Sequence, residues 1–369
     1  MPRQGFSSHR SRIKKGTMRT TTKTFTLLFA LAIATVACSS GSLSDAETPE
    51  TLNLIAHDSF ASAAAETGAF DAFTEDTGIA VEIIAAGDAG TLVNQAVLTK
   101  DNPLADVLFG VDDTFLSRAL DEGIFVPHES RHIGDVDVDL VDPTNRVTPI
   151  DFGDVCINYD KAWFANTKLQ VPSTLADLRA HLYAMHFTVE HPATSSPGLA
   201  FMFATIDEFG EEGWLDYWAD LKTAEVNVAN DWDTAYYGNF VRYGGESSMV
   251  VSYASSPPAE VIFATEPTDV APTGVIEAGC YRQVEYAAVL AGTNYPGAAG
   301  ELVDYMLSIE FQELVPLTWF VFPANQKAAL PQEFLDHTII PEDPARFDAA
   351  YIAENRDRWI DEWIEVMEG

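Results

Sequence analysis

A His-Glu-x-x-His spacing at His128, Glu129 and His132 matches the motif of zinc proteases. In that motif a helix brings both imidazoles to one face as metal ligands, and the glutamate acts as general base. Here a Val-Pro pair precedes the segment at 126–127, an Ile-Gly pair follows at 133–134, and no helical apolar period flanks it. We therefore interpret it as a solvated polar loop, and a zinc metalloprotease stays an alternative hypothesis.

Other spacings that mark catalytic sites do not occur in the sequence. It contains no GxSxG, no P-loop and no GxGxxG, so serine hydrolase, nucleoside triphosphatase and dinucleotide-binding motifs have no counterpart. We predict a protein without catalytic residues, cofactor or bound metal.

The Ser195-Ser196-Pro197-Gly198 stretch precedes an apolar run and predicts the start of a helix. Serine is a preferred N-cap residue, and proline fits the first helical turn. Free N–H groups and the helix dipole at such an end can hold a phosphate, and the serine hydroxyls can assist. Taken alone, the stretch favours an ordinary capped helix over an anion site.

Several aromatic side chains fall near expected turns rather than inside apolar runs. They are Trp232, Tyr236, Tyr237, Tyr253, Tyr281 and Trp319. Aromatic faces together with carboxylates suit a flat cationic ligand, through stacking and cation–π attraction. Taken one at a time, each ring can equally pack between helices and sheet. Trp214 and Trp218, at helical i, i+4 spacing, are predicted to be core residues.

The adjacent tyrosines 236 and 237 raise a second ligand hypothesis. Exported binding proteins can use such phenolates to hold ferric iron. Iron would also need histidine or carboxylate partners and an anion, and the sequence does not show that set converging.

The charge balance excludes two classes of partner. The chain has 56 Asp and Glu against 21 Lys and Arg, and a formal net charge of −35. The first 37 residues hold seven of the basic side chains and no acidic one, so the remainder carries −42. A body of this charge repels nucleic-acid phosphates and anionic membrane surfaces.

The beginning of the chain has the features of an export signal. Arg19 and Lys23 precede an apolar run over 25–37, which is too short to cross a bilayer and long enough for a signal. The run ends in small residues followed by Cys38 and a Ser-rich stretch, an arrangement that resembles a bacterial lipoprotein signal. We predict a signal over 1–37, with Met18 as an alternative start, a lipidated Cys38 and a flexible tether over 38–50. A free cysteine behind an ordinary cleaved signal stays an alternative.

Two further cysteines remain, Cys156 and Cys280. In an exported protein two leftover cysteines are more often paired than free, so we expect a disulfide if the chain brings them within reach. The alternative is two buried thiols that pack as small apolar side chains.

The pattern of elements predicts an α/β fold. Apolar runs at 52–56, 79–84 and 105–110 read as strands, and the stretches 69–77, 91–99 and 115–122 read as helices. Such alternation implies a largely parallel sheet, whose ligands lie beyond the carboxyl ends of its strands. The turns after the first and third strands carry His57, Asp58 and Asp112. The pattern resumes with a strand at 155–159 and ends in an amphipathic helix over 344–368.

Several stretches, taken together, resemble one known family, the thiamine-binding solute receptors of bacterial ABC importers. In chain order they are 57–61, 105–112, 151–153, 194–199, 231–236, 245–257, 283–285, Trp319 and 323–325. The most specific are Ser-Ser-Pro-Gly at 195–198 and Ser-Tyr-x-Ser-Ser-Pro at 252–257. The resemblance runs from about residue 52 to 365, nearly the whole exported chain.

The resemblance implies roles for individual residues. Trp232, Tyr253 and Trp319 would frame the two rings of thiamine. Ser195 and Ser196 would meet its hydroxyethyl end or phosphate. Asp58 and Asp112 would face the aminopyrimidine or the thiazolium charge. The other implied ligand-binding residues are His57, which stands where family members often carry tyrosine, and Gly198, Tyr236 and Ser255.

The resemblance also implies a two-lobed type II periplasmic-binding-protein fold that closes on its ligand. Lobe 1 would comprise 51–149 and 286–369, and lobe 2 would comprise 150–285, with crossings near 149–153 and 281–285. The implied protein is a monomeric, lipid-anchored receptor on the outer face of the bacterial cell membrane. It would deliver thiamine or a phosphate ester to a permease with ATPase subunits, without chemical change. The alternatives are a ferric-iron receptor of the same fold, the zinc metalloprotease, and a surface lipoprotein that transports nothing.

Overall fold

The computed structural model describes residues 48–369. The expected signal, Cys38 and most of the tether lie outside these residues. The strands are β1 (Thr51–Ala56), β2 (Ala80–Ala85), β3 (Val107–Asp112), β4 (Thr148–Asp160), β5 (Phe187–Glu190), β6 (Asn227–Ala229), β7 (Met249–Tyr253), β8 (Thr273–Val289) and β9 (Phe322–Pro323). Among the described residues they form one mixed sheet in the order β2-β1-β3-β8-β4-β7-β5-β6, with β9 beside β4. The predicted α/β class is confirmed.

Helices connect and cover these strands. They are α1 (Asp58–Thr67), α2 (Asp71–Thr77), α3 (Ala89–Leu98), α4 (Asp113–Asp121), α5 (Lys161–Thr167), α6 (His181–Ala184), α7 (Ser196–Thr223), α8 (Ser256–Ile262), α9 (Pro296–Met306), α10 (Ile309–Gln312), α11 (Val315–Thr318), α12 (Gln332–His337) and α13 (Ala349–Glu368). Short 3-10 or π turns occupy Ile133–Asp135, Val138–Leu140, Leu175–Arg179, Thr234–Asn239 and Val241–Tyr243.

One half of the sheet is built on β1, which pairs in parallel with β2 and β3. Every residue of β3 is buried. This is expected for a parallel strand covered on both faces, and it explains the continuous apolar run in the sequence. In the other half β5 pairs in parallel with β6 and β7.

Two long antiparallel strands, β4 and β8, join the halves. The carboxyl end of β8 pairs with β3, and β4 pairs with β8 over nearly its whole length and then with β7. β4 has 13 residues and is longer than the strand predicted at 155–159, because polar side chains interrupt its apolar pattern; β8 has 17 residues. The predicted crossings at 149–153 and 281–285 lie within these strands. The lobe boundaries themselves stay a prediction.

Cys156 on β4 and Cys280 on β8 form a disulfide with an S–S distance of 2.02 Å. The pairing favoured by the sequence is thus present, and both cysteines are buried. The bond lies where the register between the two strands shifts, between Val155 and Ile157. It therefore fastens the two joining strands at an irregular point of their ladder.

Three helices differ from the sequence prediction. α1 was not predicted, because its sequence is polar and alanine-rich; it is capped by the His57 side chain and ended by Gly68 in the left-handed conformation. α7 extends far beyond the apolar run that follows the Ser-Ser-Pro-Gly stretch, past a non-helical Gly210. The C-terminal helix begins at Ala349 rather than at 344.

The core is aromatic where α7 and α13 meet. Trp214 and Trp218, predicted as core residues, are fully buried, and Trp359 and Trp363 of α13 are buried with them. The rings of Trp218 and Trp363 lie 5.4 Å apart, edge to face. None of the helices within 48–369 combines the length and apolarity needed to cross a membrane.

Candidate functional site

His57 lies at the end of β1 and caps α1. Its Nδ1 accepts from the Phe60 N–H at 3.3 Å, so Nε2 carries the proton in the neutral ring. Nε2 points toward Glu285 on β8, 3.5 Å from the nearer carboxyl oxygen. Burial lowers the pKa of His57 to about 4, so the ring is neutral at pH 7. Gly110 permits this position, since its φ is +97° and a Cβ there would overlap the imidazole.

Asp58, the next predicted residue, is exposed and serves the local fold. Its Oδ1 accepts from the Gly87 N–H at 2.8 Å, which ties the start of α1 to the turn before α3.

Asp112 is fully buried at the end of β3 and caps α4. One oxygen accepts from the Phe115 N–H at 3.2 Å and the Thr114 hydroxyl at 2.8 Å. The other oxygen contacts the Ser196 hydroxyl and the Gln283 amide. Asp112 therefore links the first half of the sheet to the start of α7, and its hydrogen bonds go to protein groups.

The Ser-Ser-Pro-Gly stretch does begin a helix, as predicted, with Ser195 as N-cap of α7. The Ser195 hydroxyl makes no cap hydrogen bond, and its Oγ is buried beside the Asp88 carboxyl group. Gly198 lies against the backbone of Glu190 at the end of β5, and a Cβ there would overlap the Glu190 carbonyl. The Gly90 N–H of α3 donates to the Thr194 carbonyl at 3.0 Å. The two halves of the sheet thus meet at this helix start.

Trp232 lies at this meeting point as well. Its backbone N–H donates to Asp88, the N-cap of α3, at 3.2 Å, and its indole N–H donates to the Ser252 hydroxyl at 3.0 Å. Its ring stacks on Tyr236 with centroids 5.0 Å apart and planes inclined by 15°.

Tyr236, on which the Trp232 ring stacks, is itself buried. Its hydroxyl donates to the buried Glu260 at 2.8 Å, as does that of Tyr243. Burial, and then the Glu260 charge, raises the pKa of Tyr236 far above its usual value. Tyr237 is half exposed, and its ring stands nearly perpendicular to that of Tyr236. The Tyr236 hydroxyl is thus engaged by Glu260.

Tyr253 ends β7 and lies over Gly153 of β4, where a Cβ would press on the phenol ring. Its hydroxyl donates to Gln283 at 2.9 Å. Burial, followed by the charges of Glu285, Asp88, Asp112 and Asp151, raises its pKa. Ser255 caps α8, and its Oγ is buried without a partner among the described residues.

Trp319 follows α11 in the first half. Its indole N–H donates to Asp151 of β4 at 3.1 Å, and its ring meets Phe60 edge to face at 5.0 Å. Trp232, Tyr253 and Trp319, called here the ring set, therefore lie beside the strands that join the halves.

Carboxylates accompany these rings, and of them only Asp112 was predicted from the sequence to contact a ligand. We call them the acidic cluster: Asp88, Asp112, Asp151, Glu190 and Glu285. Burial raises the pKa of Asp151 to about 7 and of Asp88 to about 6. It also raises those of Glu190 and Glu285 well above the usual value. Both carboxyl oxygens of Glu190 are buried without a hydrogen-bond partner among the described residues. In the sequence, this cluster could have been suspected from acidic residues that lie inside or near the ends of otherwise apolar strands.

The zinc-protease hypothesis is wrong for this fold. His128 and Glu129 lie outside any helix, and His132 precedes a 3-10 turn, so the two imidazoles do not share a helical face. His128 Nε2 instead pairs with Asp304 at 2.9 Å. Within the described range no three His, Cys, Asp or Glu side chains are grouped to hold a metal.

The arrangement is suited to binding rather than to bond breaking. Flat aromatic walls attract a planar cation by stacking and cation–π interaction, and buried carboxylates strengthen that attraction because water is excluded. The Ser255 hydroxyl, buried without a hydrogen-bond partner among the described residues, remains available to a polar group of the ligand.

Comparison with known proteins identifies the class. Residues 102–355 match the bacterial extracellular solute-binding protein family, and the chain belongs to that family. It has the two-lobed type II periplasmic-binding-protein fold, an α/β fold with a mixed sheet flanked by helices.

Two similar proteins carry more specific names. The thiamine-binding periplasmic protein of Brucella suis is 29% identical over 331 residues, which cover 86% of this chain and 92% of that protein. A solved structure described as a periplasmic thiamin binding protein superposes with a TM-score of 0.76 at 27% identity, covering 86% of this chain and 96% of that one. The ferric binding protein of Campylobacter jejuni shares the fold, with a TM-score of 0.68 at 21% identity, covering 85% of this chain and 99% of that one.

Proposed function

We propose that this protein is the substrate-binding receptor of an ABC importer for thiamine or its mono- or pyrophosphate. The ligand binds reversibly between two hinged lobes and leaves chemically unchanged. A membrane permease with its ATPase subunits then receives it. The observation that carries this proposal is the ring set lying beside the acidic cluster where β4 and β8 join the halves.

The chemistry of thiamine matches both parts of this site. Thiamine carries two flat heteroaromatic rings and one fixed positive charge on the thiazolium. Indole and phenol faces stack on such rings, and buried carboxylates attract the charge. In this proposal the Ser195 hydroxyl, at the start of α7, meets the hydroxyethyl group or its phosphate together with the helix N–H groups. No nucleophile or general base is needed for this function.

The same proposal includes export and a lipid anchor. The basic residues, the short apolar run and the small residues before Cys38 support an export signal followed by lipidation at that cysteine. The relatives named above are periplasmic proteins. We propose a monomeric receptor held at the outer face of the cell membrane. Mass spectrometry of the membrane fraction tests this directly, because a diacylated Cys38 peptide is expected and a free N-terminus beyond Cys38 would contradict it.

Calorimetric titration of the exported chain with thiamine tests the ligand assignment. We expect Trp232→Ala to weaken binding by about 5- to 30-fold, since a ring buried against a cation contributes roughly 1–2 kcal/mol. Trp163→Ala is the matched control, because Trp163 is a partly buried indole on α5 that packs on Phe164 and His186. An unchanged dissociation constant for the Trp232 variant, or no binding of thiamine or its esters by the native chain, would refute the proposal.

A further inference from the structure

Asp151 on β4 and Glu285 on β8 form a carboxyl pair at the centre of the molecule. They lie directly opposite each other in the antiparallel register of the two strands. Asp151 is 1% exposed, and the Glu285 side chain is 12% exposed. The charge of Asp151 adds to burial in raising the pKa of Glu285. Two ionised carboxylates offer only acceptors and repel each other, so two carboxyl groups buried side by side favour holding one proton between them.

The surroundings of the pair supply little positive charge. Trp319 donates its indole N–H to one Asp151 oxygen, and the other oxygen receives no N–H or hydroxyl among the described residues. His57 Nε2 lies 3.5 Å from Glu285, but the buried ring is neutral at pH 7. Across the described chain, no Lys or Arg nitrogen lies within 4.0 Å of either carboxyl group.

Other acidic groups add to the negative potential at the pair. After burial, the charge of Asp151 raises the pKa of Glu285 most, followed by the charges of Asp112 on β3 and Asp88 at the start of α3. The Tyr253 phenol of β7 faces the same carboxylates and stays protonated. Asp113 of α4 lies near Asp112 and accepts from the Val284 N–H and the Tyr281 hydroxyl. A shared proton is therefore the group that keeps the free pair from holding two adjacent negative charges.

We propose that the Asp151–Glu285 pair receives the positive charge of the ligand and releases its shared proton when the ligand binds. This inference rests on the proposed function, because it needs a cationic ligand. One positive charge enters and one proton leaves to solvent, so the net charge of the pocket is the same before and after binding. The indole N–H of Trp319 remains as a donor to Asp151, and the Nε2–H of His57 lies 3.5 Å from the Glu285 carboxyl group.

This exchange makes affinity depend on pH in a stated direction. A proton that must leave on binding competes with the ligand, so affinity rises with pH while the free pair is protonated. One released proton corresponds to about a tenfold rise per pH unit, and the slope flattens once the free pair has lost its proton. A receptor whose carboxylates were already ionised would show no such slope near neutral pH.

The proton count is measurable by calorimetry. Thiamine is titrated into the exported chain at pH 7.0 in phosphate and in Tris, whose ionisation enthalpies differ widely. We expect the observed heats to differ by the release of about one proton per thiamine. Binding with equal heats in both buffers would overturn the inference while leaving the proposed function intact. No binding of thiamine or its esters in either buffer would overturn the proposed function, and this inference with it.

A variant pair assigns the proton to its source. Glu285→Gln keeps the length and hydrogen-bonding shape of the side chain but cannot ionise, so the released proton should fall to less than half of the native value. Glu277→Gln is the control, because Glu277 lies exposed on the same strand. Equal proton release by Glu285→Gln and the native chain would assign the proton to Asp88, Asp112 or the ligand and would overturn the inference. The two-buffer measurement on the native chain decides the question even if the variant fails to fold.

Discussion

Replacing Cys156 and Cys280 together by alanine should lower the free energy of unfolding by several kcal/mol. The bond closes a separation of 124 residues, and the chain-entropy model gives about 5 kcal/mol for a loop of that length. Measured effects of removing native disulfides are generally about 2–5 kcal/mol, so we expect a loss of about 3–5 kcal/mol. Alanine is the appropriate replacement, since both positions are buried and a serine hydroxyl would add an unpaired polar group there.

The assay is urea unfolding followed by tryptophan fluorescence, with and without dithiothreitol. The buried tryptophans 214, 218, 359 and 363 report loss of the core around α7 and α13. Reductant should shift the native transition toward that of the double variant and leave the variant unchanged. The reasoning fails if the variant and the oxidised native chain unfold within 1 kcal/mol of each other. Thiamine binding should persist in the folded variant, because the two sulfurs lie five residues from Asp151 and Glu285 along their strands.

Other perturbations have defined outcomes. Gly110→Ala forces a side chain into a positive φ and against His57, so thermal unfolding should show a loss of roughly 1–3 kcal/mol, whereas Gly134→Ala, with open space at its Cβ, should change little. Tyr253→Phe leaves the Gln283 amide oxygen without its donor; we expect about 1–2 kcal/mol lower stability by urea titration, and an unchanged value would contradict the contact. Urea titrations of the ligand-free chain across pH should show stability falling between pH 4 and 7. In that range the folded Asp151, with a pKa near 7, holds a proton that the unfolded chain has already lost. His57 has a pKa of about 4 in the folded chain and about 6.5 in the unfolded chain, so its contribution makes stability rise with pH between these two values and then stops. A rise in stability over the whole range from pH 4 to 7 would contradict the raised carboxyl pKa values.

Local sequence patterns were sufficient for most elements of the fold. Apolar runs located β1 and β3, the helix predicted over 69–77 ends where α2 ends, and helical spacing placed Trp214 and Trp218 in the core. These features depend on residues close together in the chain. The disulfide could be proposed because few cysteines were available to pair.

The parts that could not be predicted depend on contacts between distant residues. The length of β4 was hidden because Asp151 and Asp154 break its apolar pattern, and only its pairing with β8 shows that the strand continues through them. The burial of Tyr236 depends on Glu260, which lies 24 positions later and accepts its hydroxyl proton in a hydrogen bond. Asp112 was predicted to contact a ligand because it lies at the end of a strand. In the structure its carboxyl oxygens accept hydrogen bonds from groups of α4, α7 and β8 instead.

The same contacts connect recognition to lobe closure. In the structure, Asp88 and Asp112 from the first half contact Trp232 and Ser196 from the second, and the Asp88 charge helps raise the pKa of Glu190 on β5 of the second half. Closure without a ligand therefore brings negative charges together, and protonation or a cation must offset them. A ligand shifts such an equilibrium only by its difference in affinity for the two states. In the proposed mechanism the thiazolium charge supplies that difference. It contacts the Asp151–Glu285 pair and the whole ring set only when the two halves are together. A neutral analogue of equal shape should then stack on one half but fail to hold the lobes closed.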